Sequence, residues 1–414
     1  MPTPLTLLGR AEGWSALGEQ VYLLALPLTA AQVLHASPAQ VGLLVTAELL
    51  PVVLLSLPLG TWLEECSHRR VLVWGSALRG AVLAALPLAP LLGGLRLEGL
   101  YLVSFALGTL GLACTLARQS LLPDVVPPSA LTEANGRLEV VRSGVEVVGP
   151  GVAGGLVTAL GAPLALLGGV AAFLGSAVAL GGLPEEPHRT RGMTRPAWQE
   201  TREGLAFVWN HGLLQCHVLT AATLNLARGA FEAVFVLYLA REIGLGVISI
   251  GVVFTVGNVG FLVGAWAARS GTRLGTVLPA TTPPAVLAPL LAGAGLLGVP
   301  LVGGLGGGNL IAVPLFALTL AVQGVGVVVW GIQHVSLRQA LTPPALQSRV
   351  HASAGFLAGL PLPLGAWLGG LTAEHFGTSA ALWGIGVTGL GACGWLLPAV
   401  GRARCRHLRG EAEG

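Results

Sequence analysis

The chain has 414 residues, of which 53% are hydrophobic, 10% are charged and 61 are glycine. Soluble domains carry about 25% charged residues, so this composition, with a mean hydropathy of +0.77, excludes a water-soluble globule, a nucleic-acid module, a disordered or collagen-like chain and nearly every soluble enzyme class. The formal charge is +3, every basic residue is arginine, and Asp124 is the one aspartate; in a bilayer protein such a balance reports topology rather than an acidic partner.

Apolar runs separated by polar or Pro/Gly-rich punctuation predict twelve spanning helices, near residues 14–35, 41–63, 71–92, 97–117, 138–160, 162–183, 212–240, 246–268, 275–297, 310–335, 350–371 and 378–400. About 20 apolar residues cross the hydrocarbon core as helix, and the alternation that a barrel strand needs is missing. The expected fold is an all-α polytopic membrane protein with twelve transmembrane helices in two pseudo-symmetric six-helix bundles. The start, Met1-Pro-Thr-Pro-Leu5, lacks the basic region and small-residue cleavage site of a signal peptide, so the first span is expected to stay attached. With the amino terminus in the cytoplasm, every inside segment carries arginine, while only Arg96 and Arg241 fall outside; both termini are therefore expected to be cytoplasmic.

The longest polar stretch, Leu183 to His211, falls between spans six and seven. It divides the chain into an N-terminal six-helix bundle (1–183), an interdomain linker (184–211), and a C-terminal six-helix bundle with a short tail (212–414). Trp198 to Trp209 reads as an amphipathic helix on the membrane surface. Internal repetition agrees with the division: Ala117-Arg118-Gln119 ahead of Pro127-Pro128 echoes Leu337-Arg338-Gln339 ahead of Pro343-Pro344, and Gly154-Gly155-Leu156 recurs as Gly369-Gly370-Leu371.

Ionisable and polar residues within spans are functional candidates because burying them in hydrocarbon is costly. Glu19 on span one and Glu48 on span two are carboxylates able to carry a proton; an interfacial place for the first and a salt bridge for the second are the plainer readings. Arg79, Glu139, Arg142 and Glu146 are expected to form ion pairs near the cytoplasmic halves of spans three and five. On span seven Asn225, Arg228 and Glu232 share one helical face; they form either a polar stripe for substrate or proton, or a structural bridge. Asn258 and Gln323 suit ligand binding or interhelical hydrogen bonding equally. His334, close to Arg338, reads as interfacial.

Three further motifs carry a family resemblance. Between spans two and three, Gly60 is followed four positions later by Glu64 and then by His68-Arg69-Arg70. Span five contains Gly149-Pro150-Gly-Val-Ala153-Gly154, and Glu203-Gly204-Leu205 leads towards span seven. Together these resemble the major facilitator superfamily, and within it the bacterial drug and siderophore exporter branch that includes enterobactin exporters and macrolide efflux proteins. Glu64 stands where that family usually has aspartate, and Glu65 where arginine is common. The resemblance implies a gating loop built from Gly60, Glu64, Arg69 and Arg70, with Gly60 allowing close helix packing, and a helix-bend motif at Gly149, Pro150 and Gly154.

The resulting expectation is a secondary active transporter of the bacterial cytoplasmic (inner) membrane. It works by alternating access, as a monomer, in proton-coupled (or sodium-coupled) efflux of a small amphipathic organic compound, drug or siderophore-like. A lipid or lysophospholipid flippase, a small-solute importer and, further off, a non-transporting membrane receptor are the alternatives. No enzyme motif, metal site, organic cofactor or nucleic-acid partner is expected.

Overall fold

The computed structural model describes residues 3–89, 94–127, 130–183, 197–269, 286–305, 309–343 and 346–398. Apart from short connecting turns these segments are helical, and among them eleven helices are long and apolar enough to cross a membrane. The first helix, α1 (Pro4–Gln32), is a further long one, its apolarity lowered by Ser15, Glu19 and Gln20. Large apolar side chains such as Val178, Leu310, Phe376, Leu102 and Trp266 stand exposed, the outward-facing pattern of a protein whose solvent is lipid.

By packing, the chain forms two compact units, Met1–Gly192 with Val236–Thr255, and Met193–Phe235 with Val256–Gly414. In the first, α1 is followed by α2 (Pro38–Glu64), α3 (His68–Leu88), α4 (Leu97–Val125), α5 (Leu131–Leu160) and α6 (Ala162–Gly181). Short polar residues start these helices: Thr3, Ser37 and Ser67 accept bonds from the first free backbone N–H groups, and Ser37 forms a reciprocal capping box with Gln40. Helix α1 packs on α5 and α6, α3 on α4 and α6, and α2 on α4. Leu8, Ala11, Leu72, Ala117, Leu121, Leu138 and Leu180 close one end of this bundle.

The second unit contains α7 (Ala197–Asn210), α8 (Gly212–Leu237), most of α9 (Val247–Arg269), α10 (Leu287–Gly304), α11 (Asn309–Leu341), α12 (Gln347–Gly359), α13 (Pro361–Phe376) and α14 (Thr378–Gly391). Helix α10 packs on α11 and α14, and α13 on α14. At the α8–α13 crossing a Cβ on Gly229 would fall on the Leu362 carbonyl and one on Gly365 on the Leu226 carbonyl, so only glycine allows these backbones to approach this closely. The linker helix α7 packs on α12, with Val208 buried beside Val218, Val350 and Ala354. Residues 184–196 of the linker lie outside the described segments.

Two local devices occur once in each unit. Ahead of α5 the Ala130 N–H donates to the Pro127 carbonyl (2.9 Å), and ahead of α12 the Leu346 N–H donates to the Pro343 carbonyl (2.9 Å). Gly161 (φ 82°) ends α5 and opens α6, and Gly377 (φ 87°) ends α13 and opens α14; a side chain would strain this backbone.

Several boundaries differ from those read in the sequence. The ninth span, expected at 275–297, is α10 at Leu287–Gly304, and residues 270–285 lie outside the described segments. The eleventh is interrupted at Leu360, because Pro361 and Pro363 cannot donate backbone bonds to the preceding turn. Helix α5 runs through Pro150, the centre of the expected bend motif. The seventh span ends in a π-helical turn, Tyr238–Glu242.

Candidate functional site

The first bundle holds a charged cavity. Helix α1 places Glu12, Ser15, Glu19 and Tyr22 three and four residues apart, so they line one face. That face meets Ser76 and Arg79 of α3, Gly111, Cys114 and Arg118 of α4, Arg142 of α5 and Ser176 of α6 around a cavity of about 40 Å³. One water needs about 10–15 Å³ of such volume, whereas drug-sized ligands occupy about 300 Å³ or more. In this state the cavity therefore accommodates water and protons, not a drug.

Arg79 is the centre of the cluster. It is only 2% exposed, and its Nη2 donates to Glu19 Oε1 at 2.8 Å. Its Nη1 donates to Ser15 Oγ at 3.0 Å, and its guanidinium carbon lies 4.1 Å from the centre of the Phe173 ring, a cation–π contact. Its Nε has no hydrogen-bond partner among the described residues. Phe173 in turn lies 6.2 Å from the Tyr22 ring, whose hydroxyl donates to Glu48 Oε1 at 2.8 Å. The two carboxylates named from sequence are thus linked through Tyr22, Phe173 and Arg79. Towards the closed end, Arg118 pairs with Glu12 at 3.3 Å, and the Ser176 hydroxyl donates to the Ala11 carbonyl at 2.9 Å.

The expected charge network divides. Arg142 pairs with Glu146 at 2.9 Å on its own helix, Glu139 is exposed on α5, and Arg79 turns to α1, where Glu19 lies within reach of a side chain leaving α3. Glu12, Ser15, Tyr22 and Phe173 were not singled out from the sequence, and Arg118 was noted there only in the repeated loop motif. The three- and four-residue spacing of the polar positions on α1 is the signal that could have found the first three.

On α8 Arg228 pairs with Glu232 at 2.7 Å, with 51% and 35% of the two side chains exposed. Asn225 does not join them through a bond of its own: its Nδ2 donates to the Ala358 carbonyl at 2.8 Å, beside the break between α12 and α13. Gln323 is buried on α11, its backbone against Gly295 of α10, and Asn258 is half-buried on α9.

In the loop between α2 and α3, Arg69 donates to the Gly181 carbonyl at 2.7 Å, satisfying the C-terminus of α6. Arg70 is exposed and its backbone N–H is capped by Ser67; the side chain of Glu64 lies outside the described residues. An added Cβ at Gly60 would meet nothing within 4 Å among the described residues. On α5 a Cβ on Gly149 would press on the Gln20 side chain at 2.6 Å, and one on Gly154 would lie 3.1 Å from the Val247 carbonyl at the start of α9. His334, expected at the interface, is buried.

The profile of the Major Facilitator Superfamily matches residues 13–360. The multidrug efflux pump Tap of Mycobacterium tuberculosis is 30% identical over 212 residues, 49% of this chain and 50% of that protein, so the match spans about half the length of that relative. The uncharacterized MFS-type transporter YfiS of Bacillus subtilis is 25% identical over 374 residues, 89% of this chain and 86% of its own. Among solved structures, a point mutant of the nucleoside transporter NupG superposes with a TM-score of 0.77 at 12% identity, covering 96% of this chain and 100% of that one. A bacterial homologue of the iron transporter ferroportin, in an inward-facing state, gives 0.69 at 18% identity, covering 96% and 98%. At these identities the two structures speak to the fold alone.

Proposed function

The chain belongs to the Major Facilitator Superfamily, and on that premise we propose that it exports an amphipathic organic compound by alternating access, in exchange for protons, across the bacterial inner membrane. The half-length similarity to an efflux pump supports the direction and the substrate class. The observation that carries the coupling is the Glu19–Arg79 pair beside a water-sized cavity.

Protonation of Glu19 removes the only carboxylate bonded to Arg79 among the described residues. The guanidinium then keeps only neutral acceptors, the carbonyl oxygen of the protonated carboxyl and the Ser15 hydroxyl, beside the Phe173 ring; losing the partner charge costs about 3 to 5 kcal/mol in a fully dry pair and less here, where Glu19 is 30% exposed. The first bundle escapes this cost by rearranging until Arg79 reaches water or another acceptor. Loss of the proton on the other side restores the pair. Proton occupancy and conformation are thereby linked, and Glu48, held by Tyr22, is the second acid on the route. Arg228, Glu232, Asn258 and Gln323 are assigned to the substrate pathway, and the segment from Gly60 to Arg70 to gating.

The test is flux in proteoliposomes of a fluorescent amphiphile such as ethidium, with a pH gradient of either sign. Accumulation should follow the gradient that drives protons against substrate and reverse with its sign. Equal flux under both gradients, or movement only with a sodium gradient, would remove the proton from the mechanism.

A further inference from the structure

The second unit contains a buried cluster that takes no part in the mechanism proposed for Glu19. His217 of α8 is 2% exposed and stacks on Trp330 of α11, with ring centres 4.9 Å apart and planes 9° from parallel. His334, one turn further along α11, lies 5.9 Å from Trp330 and 6.1 Å from His217. Arg338, a turn beyond, donates from Nη2 to Nδ1 of His351 on α12 at 2.6 Å. Because arginine has only donors, His351 Nδ1 is the acceptor and that ring holds its proton on Nε2.

The cluster is left unsatisfied to an unusual degree. Both ring nitrogens of His217, Nδ1 of His334, Nε1 of Trp330 and Nε of Arg338 are buried without a hydrogen-bond partner among the described residues. Each such group carries a desolvation penalty, and native cores seldom keep several side by side without a role. The set mixes donors (Trp330 and Arg338) with imidazole nitrogens able to accept, so water entering between them would satisfy both kinds at once.

Among the described residues the titratable groups around the ring stack are His334 beside His217, Arg338 and His351 beyond it, the thiol of Cys216 next to His217 in sequence, and the buried thiol of Cys393 in the 3-10 turn Ala392–Leu396. Apart from that thiol, the packing on Trp330 from α10 and this turn is apolar, through Ala288, Ala292, Ala392 and Leu396. Among the described residues no carboxylate is bonded to any of the three histidines or to Arg338. A second cation beside Arg338 is therefore intolerable while the cluster is dry. The face of Trp330 stabilises an imidazolium once water is present.

The geometry points to a second proton-binding site, formed by His217 and His334 on Trp330, that takes its proton only in a state where the cluster is hydrated. Protons then favour that state of the second unit, as a ligand favours the conformation that binds it. This site is separate from Glu19 and holds whether or not Glu19 carries the transported proton.

The experiment is deuterium exchange at the imidazole C2 position, read for each histidine by mass spectrometry on the full chain in lipid nanodiscs from about pH 5 to pH 9, a range spanning ordinary histidine titration. His217 and His334 should each give a sigmoidal profile. His334→Gln should strengthen proton binding at His217 about threefold, about half a pH unit, because a like-charged neighbour is gone. Trp330→Leu should weaken it, and Glu19→Gln should leave both profiles in place. A flat His217 profile in the wild type, or one unmoved by His334→Gln, would reduce the cluster to core packing. If His334→Gln does not fold, the Trp330→Leu comparison decides by the same criterion.

Discussion

Replacing Glu19 by glutamine isolates the charge of the pair from its shape. Breaking a buried ion pair by removing one partner costs about 3 to 5 kcal/mol, but Glu19 keeps 30% exposure and glutamine can still accept one bond from Arg79. The expected loss is therefore about 1.5 to 3 kcal/mol, the range of a hydrogen bond to a charged group. Arg79→Met alone should cost a similar amount, since it also forfeits the Phe173 contact of about 0.5 to 1 kcal/mol and the bond to Ser15. In the double variant the core is neutral again, so the combined loss should fall short of the sum by about 1 to 2 kcal/mol. Unfolding by sodium dodecyl sulfate in mixed micelles measures the four free energies, and proteoliposome flux measures transport in the same four proteins. Transport driven by the gradient should be lost in Glu19→Gln and should stay lost in the stabilised double variant. Additive free energies within about 0.5 kcal/mol, or gradient-driven accumulation at the wild-type level in Glu19→Gln, would refute the assignment and transfer the coupling role to Glu48.

Other outcomes test the remaining positions. Because Arg228 and Glu232 are half exposed, Glu232→Gln should lower stability by no more than about 0.5 kcal/mol while reducing flux; a loss above about 2 kcal/mol that recovers, together with flux, in Arg228→Met/Glu232→Gln would make the pair structural. Arg69→Ala removes the bond to the Gly181 carbonyl and should cost about 1 kcal/mol while slowing flux more than it weakens ligand binding; unchanged kinetics would leave the loop a topology signal. Gly229→Val should lose about 3 kcal/mol or abolish the folded peak in size-exclusion chromatography, since its side chain would enter the Leu362 backbone. Gly60→Ala should be neutral or gain up to about 1 kcal/mol, because no described atom lies within 4 Å of the new methyl group.

The local part of this site was legible because a helix has one period. Arg228 with Glu232 and Arg142 with Glu146 are four residues apart, and the structure pairs each. The same period on α1 put Glu12, Ser15, Glu19 and Tyr22 in line, a pattern of which only Glu19 was named from the sequence. The glycines were legible only in part: Gly154 meets a neighbouring backbone, whereas Gly60, equally marked in the sequence, meets nothing among the described residues.

Sequence alone determined that this chain is a helical membrane protein with a repeated punctuation of prolines and glycines, since span length, scarcity of charge and turn chemistry are local quantities. The tertiary structure decided which polar side chains meet: Glu19 with Arg79, Tyr22 with Glu48, and His217 with Trp330. The physical reason lies in the solvent. In water a helix shows an apolar stripe that points to its partners, but a span that is apolar on every side gives no such direction, and its rotation about its own axis is set by close packing and by the need to bury charge against charge. Those constraints act between residues dozens of positions apart, so they become visible only when the helices stand side by side.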